Sequence, residues 1–184
     1  MPARFARHIA QGRTAPPAFT GEADECLQQE DNPLNDQALS AKARILIRRP
    51  PSAVFAAFAD AGAMSQFWFV RRDDGLKAGE TVAWFLGSGE HAVSFDVRVE
   101  ELRHPSKLVI SWERDGAYTQ ITWTLEATAC DDTILTIEES GFAGSADAIV
   151  AQILDSTGGF NQVIVAAKAW IEHGVALNVV ADHA

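Results

Sequence analysis

Cysteine is nearly missing from this 184-residue chain: Cys26 and Cys130 are the only two, in segments of different character. A disulfide framework is therefore excluded, and a reducing, cytoplasmic setting is the expectation. No apolar run reaches the roughly 18 residues that cross a bilayer. Positive charge is also scarce, with a net charge of −10 and a pI near 4.8. Nucleic-acid affinity rests on clustered Lys and Arg, so nucleic acid and anionic membrane surfaces are excluded as expected partners. The basic doublets Arg48-Arg49 and Arg71-Arg72 adjoin Pro50-Pro51 and Asp73-Asp74 respectively, and both read as solvated strand ends.

Chemical signatures are equally sparse. His8, His91, His104, His173 and His183 show no metal-ligand spacing, so neither a metal nor another cofactor is expected. The glycine turns GLKAGE, GSGE and GFAGS lack a phosphate-loop pattern, and no serine sits in a nucleophile elbow. Internal repeats and low-complexity tracts are absent. The first residues are basic and without acids but have no apolar core of secretory-signal length. Residues 1–40 carry no sustained periodicity and read as a tail or surface arm, which leaves residues 41–184 as one domain.

The domain has ample hydrophobic material, at 47% of residues. AKARILIRRPP opens it with a strand that ends at Pro50-Pro51. In PSAVFAAFADAGAMSQFW, Pro51 suits a helix start, Val54, Phe55 and Phe58 fall at helical spacing, and Gly62 divides the segment into two short helices. Strand signals follow. AVSFDVRVEEL is the clearest, with Val93, Phe95, Val97 and Val99 on one face against Ser94, Asp96, Arg98 and Glu100. ETVAWFLG, LVISWER, TQITWTLEAT and TILTIEESGF add further strands, joined by the short turns HPSK, DGA and CDD. Such connections imply consecutive antiparallel pairing.

Beyond Phe142 the period becomes helical, first in SADAIVAQILD and then in GGFNQVIVAAKAWIEHG. Gly158-Gly159 reads as a break between two helices, with Asp155, Ser156 and Thr157 as capping candidates. In the second helix Phe160, Val163, Ile164, Ala167, Trp170, Ile171, Gly174 and Val175 form one stripe, opposite Asn161, Gln162, Lys168, Glu172 and His173. That stripe needs the apolar face of the sheet as its partner. Small residues within it, Ala167 and Gly174, allow either close helix–sheet approach or room for a guest.

The order of strand, helix pair, antiparallel run and long terminal helix, carried by PPSAVFAAFAD, MSQFW, LVISW, DTILTIEESGF and the glycine-aromatic pair Gly159-Phe160, resembles the START-like (SRPBCC) superfamily. The branch it resembles most is that of the polyketide cyclases and Hsp90-ATPase-activator homologues, over about residues 41 to 180. This resemblance implies an α+β helix-grip fold, a curved antiparallel sheet wrapped around a long C-terminal helix. It also implies a cavity for a hydrophobic or amphipathic small molecule.

Read onto this chain, the inward aromatic and apolar positions are Trp68, Trp84, Phe95, Trp112, Trp123, Phe160, Ile164 and Ala167. Each taken singly is an ordinary core residue; together they could line a pocket. A dry void of about 300 Å³ would cost about 7 kcal/mol, against a whole-domain stability of roughly 5–15 kcal/mol. Any cavity must therefore be small, hydrated or filled. Following the apolar strand faces to their ends reaches Glu139 and Arg114. Strand-end charges are ordinarily exposed, because an uncompensated buried charge is expensive.

If inward, they could orient a ligand. In a cyclase-like enzyme Glu139, Arg114, Tyr118 and His91 would be the candidates for moving protons. A third expectation, drawn from the resemblance to the Hsp90 activators, makes Phe67-Trp68-Phe69 an exposed protein-contact patch. A homodimer is compatible with each reading.

Overall fold

In the computed structural model the described residues are 39–86, 92–114, 116–180 and 182. Residues 1–38 of the expected N-terminal arm, with Cys26, and the candidate His91 fall outside them. Among the described residues seven strands form one antiparallel sheet: β1 (Ala41–Ile47), β2 (Val70–Arg71), β3 (Thr81–Leu86), β4 (Val93–Arg103), β5 (Lys107–Arg114), β6 (Ala117–Ala127) and β7 (Thr133–Ser140), in the order β1-β7-β6-β5-β4-β3-β2. Strands β2 to β7 neighbour in sequence order, as the short turns require, and β1 closes the far edge against β7. The curved sheet and the long helix across it make the helix-grip α+β fold.

Alternation sets the faces. In β7 Thr133, Leu135, Ile137 and Glu139 are all fully buried, while the residues between them are half-buried. In β6 Thr119, Ile121, Trp123 and Leu125 turn inward, and in β5 Leu108, Ile110 and Trp112 do so. β4 follows its expected face only in part, because Val97 and Val99 are buried while Val93, at the outer end, is 65% exposed. The two-residue β2 is too short to announce itself by period.

Helix α1 (Pro51–Ala59) starts with proline at its first position, where the missing N–H costs nothing. It is separated from α2 (Ala61–Met64) at Asp60 rather than at Gly62, because the Asp60 carboxylate caps the Ala63 N–H at 2.7 Å.

The C-terminal segment corrects the sequence reading. A single helix, α3 (Ala146–His173), runs through Gly158-Gly159 without interruption. Glycine costs only about 1 kcal/mol relative to alanine in a helix interior, so packing of the flanking turns carries the helix across both. Ser145 caps its start, and Gly174 ends it in the left-handed conformation at φ 68°. Gly174 is thus an exposed stop signal outside the packed stripe, whereas Ala167 is fully buried.

Two charged groups expected in solvent are also buried. Arg71 is 5% exposed: it pairs with Asp73 (Nε–Oδ2, 2.9 Å) and donates to the carbonyls of Phe58 and Ala59 at the end of α1. Glu172 is 8% exposed and accepts from the Arg48 backbone N–H at 2.6 Å and from Lys168, which in turn donates to the Leu46 carbonyl. Arg49 donates to the Glu172 carbonyl. The polar end of α3 therefore satisfies the backbone groups left open where β1 ends, which a helical wheel drawn in isolation cannot show.

Candidate functional site

Between the sheet and α3, Trp68 occupies the centre of an aromatic cluster. Its ring lies 5.3 Å from Trp84, 5.7 Å from Trp123, 6.4 Å from Trp112 and 6.3 Å from Phe160, centroid to centroid. This packing fills the inner part of the space. Trp84, Trp123, Ile164 and Ala167 are accordingly core residues, each no more than 2% exposed. Phe95 is half-buried, edge-on to Phe69 and Trp112.

Toward one end the space stays open. A cavity of about 470 Å³, open to solvent on one side, is walled by Trp68, Phe69, Trp112, Glu139 and Phe160, with Arg114 and the α3 residues Asp155, Ser156, Gly158 and Gly159 at its border. Of the nine expected pocket residues, Trp68, Trp112, Glu139 and Phe160 share this wall. Gly158 and Gly159 line it as well, and a Cβ built on either meets nothing within 4 Å. Glycine at both positions leaves this part of the border without side chains. The sequence does carry this signal, since the pair stands in a strongly periodic helix, but local propensity alone reads it as a break.

Glu139 is the unusual member. Although near the end of β7, it is fully buried, because β7 pairs on both sides there, with Ala41 of β1 and Ile121 of β6. Its Oε1 accepts from the Thr119 hydroxyl at 2.6 Å and the Trp112 indole N–H at 2.9 Å. Oε2 is buried and has no hydrogen-bond partner among the described residues, and no cation there forms a salt bridge with the carboxylate. Removing such a group from water is costly without pairing.

Arg114 borders the same cavity, with Nη1 on Ser156 at 3.1 Å and Nη2 on Asp155, while its buried Nε has no partner among the described residues. Tyr118 is 69% exposed and does not border this cavity. Phe67 and Trp68 are 3% and 9% exposed and Phe69 is half-buried against the core, so the Phe67-Trp68-Phe69 run is not the exposed contact patch expected.

A wider hollow of about 920 Å³ lies over Asp96, Arg98, Glu100 and Glu113. Among the described residues, none of the unpartnered buried polar atoms belongs to a residue lining it. Phe95, Tyr118 and Thr119 line it too, so it holds one of the expected pocket residues and one of the proton-transfer candidates, whereas the smaller cavity combines apolar walls with Glu139 and Arg114. Among the described residues no His, Cys, Asp or Glu cluster could hold a metal ion, and no helix is long and apolar enough to cross a membrane.

Solved structures share this architecture. Protein SSP2350 from Staphylococcus saprophyticus is 22% identical, with a TM-score of 0.62 over 76% of this chain and 96% of that one. DynU16, a protein in the dynemicin biosynthetic locus, is 19% identical, with a TM-score of 0.64 over 74% of this chain and 48% of its own. The Aha1 dimer from Colwellia psychrerythraea is 15% identical, with a TM-score of 0.59 over 74% of this chain and 98% of that one. At these identities the likeness establishes the fold. No curated protein matches the sequence. Residues 48–166, well over half of the chain, match the family described as activator of Hsp90 ATPase homolog 1-like protein, and the chain belongs to that family.

Proposed function

We propose that this protein binds a hydrophobic or amphipathic small molecule in the cavity between the sheet and α3. The observation that carries the reading is Glu139: a fully buried carboxylate on an aromatic cavity wall, held by two donors on one oxygen and left unpartnered on the other among the described residues. A structural carboxylate is ordinarily satisfied on both oxygens. One kept half-satisfied in a residue that lines a cavity is suited to a guest. Gly158 and Gly159 support the same reading, because the helix forgoes stability there and the cavity gains room.

Binding is favoured over proton-transfer chemistry. Of the groups expected to move protons, Glu139 and Arg114 border the cavity and Tyr118 does not. Native mass spectrometry of the full chain is the test: a co-purified small molecule, lost from Gly159→Leu, is the expected result. Ligand-free protein that also fails to bind any member of a lipophilic library would refute the reading.

A further inference from the structure

Helix α3 is anchored unequally along its length. Its C-terminal part is tied to the end of β1 and the turn beyond it, by Lys168 on the Leu46 carbonyl, Glu172 on the Arg48 N–H and Arg49 on the Glu172 carbonyl. Every buried residue of the helix lies at or beyond Ser156. None of residues 146–155 is buried, and Val150 and Leu154 there are 49% and 67% exposed. Apart from Gln152 on the Ala143 carbonyl in the entry turn, the side-chain hydrogen bonds that tie residues 146–157 to the rest of the described chain come from one residue, Arg114 of β5, to Asp155 and Ser156. Between the two parts stand Gly158 and Gly159, where an added Cβ meets nothing. Glycine is among the few causes of a sharp helix bend.

We propose that α3 is hinged at Gly158-Gly159 and that residues 146–157 form a lid, held in the observed position by Arg114, which swings to narrow the cavity mouth over a guest. Leu154, Asp155 and Ser156 of this segment line the cavity, and so does Leu86 at the end of β3, 49% exposed. A guest at the mouth gives the exposed Leu154 and Leu86 side chains apolar surface to cover, which removes all three from water. Little movement is needed: residues 146–157 span about 18 Å of helix, so a bend of about 20° at the glycines carries the far end about 6 Å. Alanine in place of both glycines should favour the straight helix by about twentyfold. The lid's use rests on the proposed binding role, whereas the hinge is a property of the chain without its guest.

Double electron–electron resonance tests the motion on the full chain with Cys26 and Cys130 replaced by serine and spin labels on Asp147→Cys and Val93→Cys. Both positions are exposed, and Val93 is the strand partner of Leu86. Saturating naphthamide, a flat uncharged probe with an apolar body, is expected to shorten the distance by about 5 Å. In Gly158→Ala/Gly159→Ala the ratio of short to long distances should fall about twentyfold. Isothermal titration of the same samples reports binding separately. Naphthamide that binds without shortening the distance overturns the lid and leaves the cavity reading standing. Equal shortening in the double-alanine chain removes the glycines as the hinge. Arg114→Met frees both bonds to the helix and should show the shorter distance as a second population without any guest; Asp155→Ala, at an exposed position, repeats this if Arg114→Met does not fold. A single unshifted distance in these guest-free chains overturns the hinge, whether or not naphthamide binds. If naphthamide does not bind and native mass spectrometry finds no co-purified molecule, the binding reading fails and the lid loses its use.

Discussion

The Trp112 indole N–H donates to Glu139 Oε1 at 2.9 Å, and this contact joins the aromatic wall of the cavity to its buried carboxylate. Both residues come from interior strands, so the pair is positioned by backbone ladders on either side of it. On the proposed reading, a group held this firmly and yet left with one oxygen unpartnered among the described residues serves a ligand more than the fold.

Glu139→Gln tests that trade. Glutamine keeps an acceptor for Trp112 and Thr119 and removes the desolvated charge, so the variant is expected to be more stable by roughly 1–2 kcal/mol. Urea denaturation at neutral pH checks this. A loss of that size would mean that the carboxylate serves the fold.

Gly158→Ala and Gly159→Ala should each stabilise the protein by about 0.5–1 kcal/mol, because a methyl group there meets nothing and alanine favours the helix. Thermal unfolding of each variant is the measurement. Destabilisation would show that the glycines are needed for packing.

Arg71 ties the end of α1 to Asp73 and is nearly buried. Arg71→Met is expected to lose about 3 kcal/mol, since it strands Asp73 and two carbonyls. Equilibrium denaturation measures the loss. An effect below about 1 kcal/mol would place the arginine among ordinary surface charges.

Acid stability should depend on Glu172. Burial alone would push its carboxyl up, but the Arg48 backbone N–H and then the Lys168 ammonium outweigh burial and hold it below 4.5. A carboxyl depressed in the folded state stabilises fully above its unfolded value and loses that contribution as pH falls through the folded value. The denaturation midpoint should therefore fall below pH 4.5 less steeply in Glu172→Gln than in the unaltered chain. Parallel curves would contradict the assignment.

Much of this is legible in the sequence because strand faces obey a strict period of two. Counting on from Leu135 and Ile137 reaches Glu139, and counting on from Ile110 and Trp112 reaches Arg114. What period cannot supply is burial: a strand end is exposed only where its neighbours stop, and β7 is flanked by β1 and β6 as far as Glu139. The depth of Arg71 and Glu172 is hidden for a related reason, since each answers backbone groups distant in sequence. Gly158-Gly159 misleads because tertiary packing along α3 outweighs the local propensity of two glycines. The aromatic positions can be identified by face, but only contact geometry separates Trp84 and Trp123, packed beneath Trp68, from Trp112 at the open end.

Occupation of the cavity is tested most directly by following the indole N–H resonances of the isotope-labelled full chain during titration with naphthamide. Trp112 borders the cavity and Trp123 is packed away from it. A saturable shift of the Trp112 resonance with the Trp123 resonance unmoved is the expected result, and it should vanish in Gly159→Leu. Unchanged spectra, or equal shifts in the unaltered chain and in Gly159→Leu, would contradict a guest site between the sheet and α3.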